Sequence, residues 1–167
     1  MLLVVAVLLA AVATYYATNI TMTRTQIELV EISKEHVWVN SSGAIATFKV
    51  QNLGGRDILI DKLTTRGVEE KWDSIWVHRV PSSKSVTGDM NVTLPATLDS
   101  ATETINGRNY TQQVIDIPLQ SGCELLVYVL NPDNIQIDDI GTAVSVAIYT
   151  TNAQYIKEVN VESLTTQ

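Results

Sequence analysis

The side chains able to do chemistry are few in this chain, and they are scattered. His36 and His78 stand in different strand-like segments, and neither has a Cys, a second His or a spaced carboxylate placed to complete a zinc site. They read as histidines on strand surfaces. The single cysteine, Cys123, precedes the apolar run at 125–130 and reads as a buried structural thiol with no partner for an intramolecular disulfide. Asp133, Asp138 and Asp139 offer carboxylate oxygens of the kind calcium takes, but their spacing matches no EF-hand loop, and acidic turns are common. The sequence contains no phosphate-cradling glycine loop, no Gly-x-Ser-x-Gly elbow and no basic patch with interleaved aromatics. No catalytic residue, metal ligand or cofactor is therefore expected, and the chain is not expected to be an enzyme.

Two other groups of residues carry information. Trp38, Trp72 and Trp76 fall in or beside strand-like segments, where bulky residues fill a core; gathered on a surface they would instead make a sugar-binding platform. Four N-glycosylation sequons begin at Asn19, Asn40, Asn91 and Asn109. The last two lie in residues 81–113, a stretch rich in Ser, Thr and Asn and poor in large apolar residues, as a surface excursion should be. A short strand at 90–94 is expected within it.

The elements that position these residues are mostly short strands. Alternation in residues 24–32 places Ile27 and Leu29 on one face and Gln26 and Glu28 on the other, the pattern of a half-buried strand. Strand-like segments follow at 36–39, 44–51, 57–63, 73–80, 112–119, 124–130, 142–151 and 155–161. Turn chemistry separates many of them, as at Asn52-Leu53-Gly54-Gly55 and Asn131-Pro132-Asp133-Asn134. The expected fold is α+β, with a hydrophobic N-terminal α-helix over residues 1–23 followed by an antiparallel immunoglobulin-like β-sandwich over 24–167.

That helix is the strongest signal in the chain. Residues 1–23 contain no Asp, Glu, Lys, Arg or His, and residues 1–13 are apolar without a break. Leu and Ala favour helix, and no Gly or Pro interrupts. The helix is expected to end between Asn19 and Thr23. Lacking a polar face, it needs apolar company on every side, from a bilayer, a large core or copies of itself. Residues 1–17 reach only ~25 Å at 1.5 Å per residue, short of a bilayer core of about 30 Å. A secretory signal would carry Lys or Arg ahead of its apolar run, and none stands there. Eleven basic against 18 acidic residues give a formal charge of −7, which disfavours nucleic acid as a partner.

The uncharged helix, its direct passage into strands, and the strand and turn Ala46-Thr47-Phe48-Lys49-Val50-Gln51-Asn52-Leu53-Gly54-Gly55 together resemble archaeal type IV pilins and their relatives the archaellins. Residues 141–151 (GTAVSVAIYTT), with Asn152-Ala153 and a further strand, are similar to the closing hairpin of those sandwiches. The resemblance implies a mature subunit whose leader has been removed, inserted in the membrane until an assembly platform stacks many helices into the core of a homopolymer. The implied packing residues are Leu2, Leu3, Val4, Val5, Val7, Leu8, Leu9 and Val12, with Tyr15 and Tyr16 near the polar end. The heads form an extracellular sheath that meets surfaces or cells in adhesion. Two other readings follow from the same residues: an archaellin of a motility filament, and a membrane-anchored extracellular binding domain.

Overall fold

The computed structural model describes residues 2–25 and 27–164, so Met1 and Gln26 lie outside the described residues. Helix α1 covers Leu2–Thr25. The strands are β1 (Val30–Asn40), β2 (Gly43–Asn52), β3 (Ile58–Thr65), β4 (Val68–Glu69), β5 (Ile75–Val80), β6 (Thr102–Ile105), β7 (Arg108–Gln112), β8 (Ile117–Leu119), β9 (Glu124–Leu130), β10 (Ala143–Thr150) and β11 (Gln154–Ser163). Three short 3₁₀ turns, Trp72–Ser74, Pro95–Thr97 and Ile137–Asp139, complete the described elements.

The helix is longer than the sequence suggests. It runs on through Thr25, past the expected end between Asn19 and Thr23, and it consumes the start of the strand expected at 24–32. That strand begins instead at Val30 and continues as a single β1 through the segments read separately at 24–32 and 36–39. A bulge between Ser33 and His36 marks the seam, with Lys34 at a φ of 57°. The expected strand at 90–94 does not form, and the segment at 112–119 divides into the last residue of β7, a turn and β8. The other expected strands form with shifts of a few residues.

Hydrogen bonds join the eleven strands into one sheet in the order β4-β3-β10-β11-β1-β2-β9-β5-β7-β6, with β8 also on β3. All pairings are antiparallel except β1 with β11. This mostly antiparallel sheet curls into a half-barrel, where the sequence led us to expect two packed sheets of an immunoglobulin-like sandwich. The parallel β1–β11 contact is what carries the ladder across from one half to the other, so no break separates two sheets.

Both faces of the central strands are buried, and alternation explains how. On the inner face Val37, Val39, Ala46, Phe48, Val50, Leu125 and Val127 meet Ile60, Leu63, Val146, Ile148 and Val161 from the opposite half of the curl. On the outer face Trp38, Ile45, Trp76, Leu126 and Tyr128 form a second cluster, roofed by Val86, Met90, Leu98, Ile105 and Tyr110. Residues 81–113 thus cover apolar surface that would otherwise be wet. Trp38 and Trp76 are core, and Trp72 packs half-buried against the inner cluster, so the three do not make an exposed platform.

A buried ion pair fastens that roof. Glu124, 1% exposed, accepts from Lys49 Nζ at 3.1 Å, Ser85 Oγ at 2.8 Å and the Val86 amide at 2.8 Å. Burial alone would raise the Glu124 carboxyl; the Val86 and Ser85 hydrogen bonds and Lys49 outweigh it and hold the group below the usual carboxylate range. Further along, the Tyr128 hydroxyl donates to Asn91 O at 2.7 Å and Trp76 Nε1 to Ser100 O at 2.9 Å. Each buried polar tip therefore holds a stretch of polar chain in place.

Candidate functional site

Helix α1 is the least satisfied part of the molecule. Every described side chain from Leu2 to Met22 is exposed, including Leu2, Leu3, Val4, Val5, Val7, Leu8, Leu9 and Val12, and none is buried. Tyr15 and Tyr16 meet edge to face at 6.1 Å, both exposed. Such a surface gains free energy from any apolar partner, at about 1.5–3 kcal/mol for each large side chain fully covered.

The polar residues in α1 do not spoil it. Thr14, Thr18 and Thr21 each donate their hydroxyl to the carbonyl four residues back, Ala10, Thr14 and Ala17, at 2.8 Å. A hydroxyl satisfied within the helix carries a much smaller desolvation cost. The apolar stretch therefore does not stop at Ala17. The segment Leu2–Met22 is long and apolar enough to cross a membrane, a test that a signal sequence near an N-terminus also meets. At 1.5 Å per residue it spans ~32 Å, against a hydrocarbon core of about 30 Å.

Where α1 meets the head, the chain is tied on two sides. The Leu53 and Gly54 amides donate to Leu29 O at 2.8 and 3.1 Å, and the Gly55 amide to Ile27 O at 3.2 Å. Gly54 is required for this approach, because a Cβ there would lie 2.5 Å from Ile27 O and 2.9 Å from Leu29 N. On the other side Glu28 accepts from Thr150 Oγ1, and from Asn152 Nδ2 at 3.0 Å. The Asn52-Leu53-Gly54-Gly55 turn is legible in the sequence; its role as a clasp on the residues that follow the helix is not.

The expected alternation at 27–29 is present, with its burial inverted. Glu28 faces the head and is bound there, whereas Ile27 and Leu29 are 48% and 49% exposed. Leu53 and Ile156 extend this apolar surface, and Leu29, Leu53, Tyr155 and Ile156 line a groove of about 580 Å³. These residues form a collar beside the exit of α1.

The sequons occupy four different settings. Asn19 is on the exposed surface of α1. Asn40 ends β1, with its Oδ1 accepting the Ser42 amide at 2.8 Å. Asn91 is half-buried, and Thr93 of its sequon is buried. Asn109 and Thr111 are both exposed on β7, and Asn109 Oδ1 accepts from Thr104 Oγ1 at 2.9 Å. Asn109 is the most accessible of the head sequons.

The remaining chemical candidates are engaged in structure. His36 stacks on Trp38 at 4.9 Å and contacts Asp89 at 3.1 Å, while His78 Nδ1 lies 2.9 Å from Asn109 O. Burial acts against the charge on Asp89, but the Met90 amide and His36 bring its carboxyl below the ordinary value. Asp139 pairs with Arg66 at 2.8 Å and caps its own turn by accepting from the Gln136 amide. Cys123 is partly buried against the inner core. Glu70, missed by sequence reasoning, is buried with Oε1 unpartnered; desolvation, with Asp133 nearby, pushes its pKa up to about 7 despite a hydrogen bond from Thr65. Among the described residues, no group of three or more His, Cys, Asp or Glu side chains is placed to hold a metal ion. No protein-family model matches the chain, and comparison with curated proteins finds none similar to it.

Proposed function

We propose that this chain is the structural subunit of an extracellular filament of the archaeal type IV pilus kind, polymerising through α1, with adhesion as its role and no enzymatic activity. The observation that carries this reading is an all-round apolar helix, exposed from Leu2 to Met22, joined to a head with a buried core of its own. Such a helix cannot remain in water, and copies of itself are the partner that the chain always has at hand. Leu2, Leu3, Val4, Val5, Val7, Leu8, Leu9 and Val12 pack between neighbouring copies, with Tyr15 and Tyr16 beside them. Head-to-tail repetition of that contact gives an open helical homopolymer.

Before assembly the helix waits in the membrane, from which an assembly platform draws it. The head, read as a variant of the immunoglobulin-like sandwich, forms the outer sheath, and residues 81–113 and Asn109 face the surroundings. Electron microscopy of the source cells, with the chain identified in purified filaments by mass spectrometry, tests the proposal. Filaments lost on deletion of the gene and restored by the full chain support it; filaments that persist without the chain overturn it.

One observation favours a second reading, a permanently anchored extracellular domain. The ~32 Å reach of Leu2–Met22 matches a bilayer. An anchored monomer is released only by detergent, whereas a filament sediments intact without it. A rotating archaellum differs from an adhesive pilus in its motor, so motility of cells lacking the chain separates those two.

A further inference from the structure

The collar beside the helix exit has the wrong polarity for a segment that faces water. In residues 27–29 the acid is turned into the head, bound by Thr150 and Asn152, and the two large apolar side chains are turned out. Leu53 at 48% and Ile156 at 59% exposure continue the same surface onto the neighbouring turn and strand. Four half-exposed aliphatic side chains in one place call for a covering.

Chain length decides what that covering is. The membrane-crossing stretch ends at Met22, the helix at Thr25, and Ile27 follows two residues later. Three helical residues advance ~4.5 Å and two extended ones at most ~7 Å. With α1 in a bilayer, Ile27 therefore lies at most ~12 Å from the hydrocarbon boundary, and the headgroup layer fills roughly the first 5–8 Å of that distance. The backbone bonds from Leu53, Gly54 and Gly55 to Ile27 and Leu29 hold Leu53 beside them, and Ile156 shares the groove with Leu29 and Leu53.

We propose that Ile27, Leu29, Leu53 and Ile156 form a footing that rests in the headgroup layer of a lipid bilayer while α1 spans it. The inference rests on the reading that α1 occupies a membrane before assembly. Lys157 lines the same groove, and a lysine suits that level, presenting an apolar stem to lipid and a charged tip to water. Among the described residues that line the groove, one is basic, Lys157, and one is acidic, Glu31. Its contact is therefore with neutral lipid and does not depend on anionic headgroups.

The test uses the full chain in phosphatidylcholine vesicles, with Cys123→Ser as background and an environment-sensitive fluorophore on one introduced cysteine. Leu53→Cys and Ile156→Cys report the footing, and Leu9→Cys reports the helix. Val114→Cys is the water-exposed control, since it follows Gln113, whose amide bonds Ile75 at the opposite end of the sheet. The proposal expects loss of emission at positions 53 and 156 with a nitroxide on the lipid headgroup. It expects loss at position 9 with a nitroxide deep in the acyl chain, and at position 114 with aqueous iodide alone. If position 9 is deep while 53 and 156 respond to iodide as 114 does, the footing is overturned and the membrane reading stands. If 53 and 156 are shielded from iodide and from both nitroxides, a second copy covers the collar and the footing is likewise overturned. If position 9 is open to iodide, the membrane reading itself fails, and the footing with it. Replacing half the phosphatidylcholine by phosphatidylserine leaves the pattern unchanged if neutral lipid is the partner.

Discussion

The helix and the head meet water in opposite ways. In the head, nearly every large apolar side chain of the central strands is buried on one face or the other, and the outer face has its own roof in residues 81–113. In α1, 24 residues long, no described side chain is buried. Outside the collar, the head contains the partners its residues need; the helix needs partners the head does not supply. A chain that divides its hydrophobicity so unevenly has separated the residues that fold it from the residues that still need a partner.

The largest test of that division removes one half. Deleting residues 1–25 should leave a soluble, monomeric head and abolish filaments entirely, measured by light scattering and electron microscopy; filaments from the truncated chain would sink the proposal. Next comes the self-sufficiency of the head. Glu124→Ala strips the partner from buried Lys49 and frees the roof at Ser85 and Val86, so it should cost about 3–5 kcal/mol in denaturant unfolding of the head. Accelerated proteolysis within residues 81–100 should accompany the loss.

A third test uses the buried carboxyl of Glu70, whose Oε1 has no partner. Glu70 titrates near pH 7 in the folded head and near 4.5 when unfolded. The folded state therefore binds the extra proton between those values, so stability falls as pH rises from about 4.5 to 7 and stays low above. Glu70→Gln should flatten that slope, stabilising the head by roughly 3 kcal/mol at pH 8 and little at pH 4. An unchanged slope would show that the group is not buried as described. Smallest is the clasp at the junction: Gly54→Ala forces its methyl against Ile27 O and Leu29 N and should cost about 1–3 kcal/mol. Faster amide exchange at Leu53 and Gly55 would locate the damage.

The two halves also differ in how legible they are. The helix declares itself, because an unbroken apolar run has few other uses, yet its end was hidden. Thr14, Thr18 and Thr21 look like the onset of polar chain until their hydroxyls are seen folded onto carbonyls one turn back. Most strands of the head follow from alternation and turn residues. Their closure into one curled sheet does not, since the parallel contact of β1 with β11 joins segments more than 120 residues apart and leaves no local mark. Residues 81–113 illustrate the same limit: Val86, Met90 and Leu98 are isolated apolar residues in polar surroundings, and only the cluster beneath them makes them core. At the junction the alternation of Ile27, Glu28 and Leu29 is plain, but which side faces the head depends on Gly54, Thr150 and Asn152, all distant in sequence.

The position of β1 bears on how the molecule carries load. Tension on α1 enters the sheet at Val30, in a strand flanked by β2 on one side and β11 on the other. Nine residue pairs join it to β2 and three to β11. Pulling along such a strand loads its cross-strand hydrogen bonds together, in shear, instead of peeling them one at a time from an edge. The same placement that closes the half-barrel makes the link between helix and head a mechanical clamp.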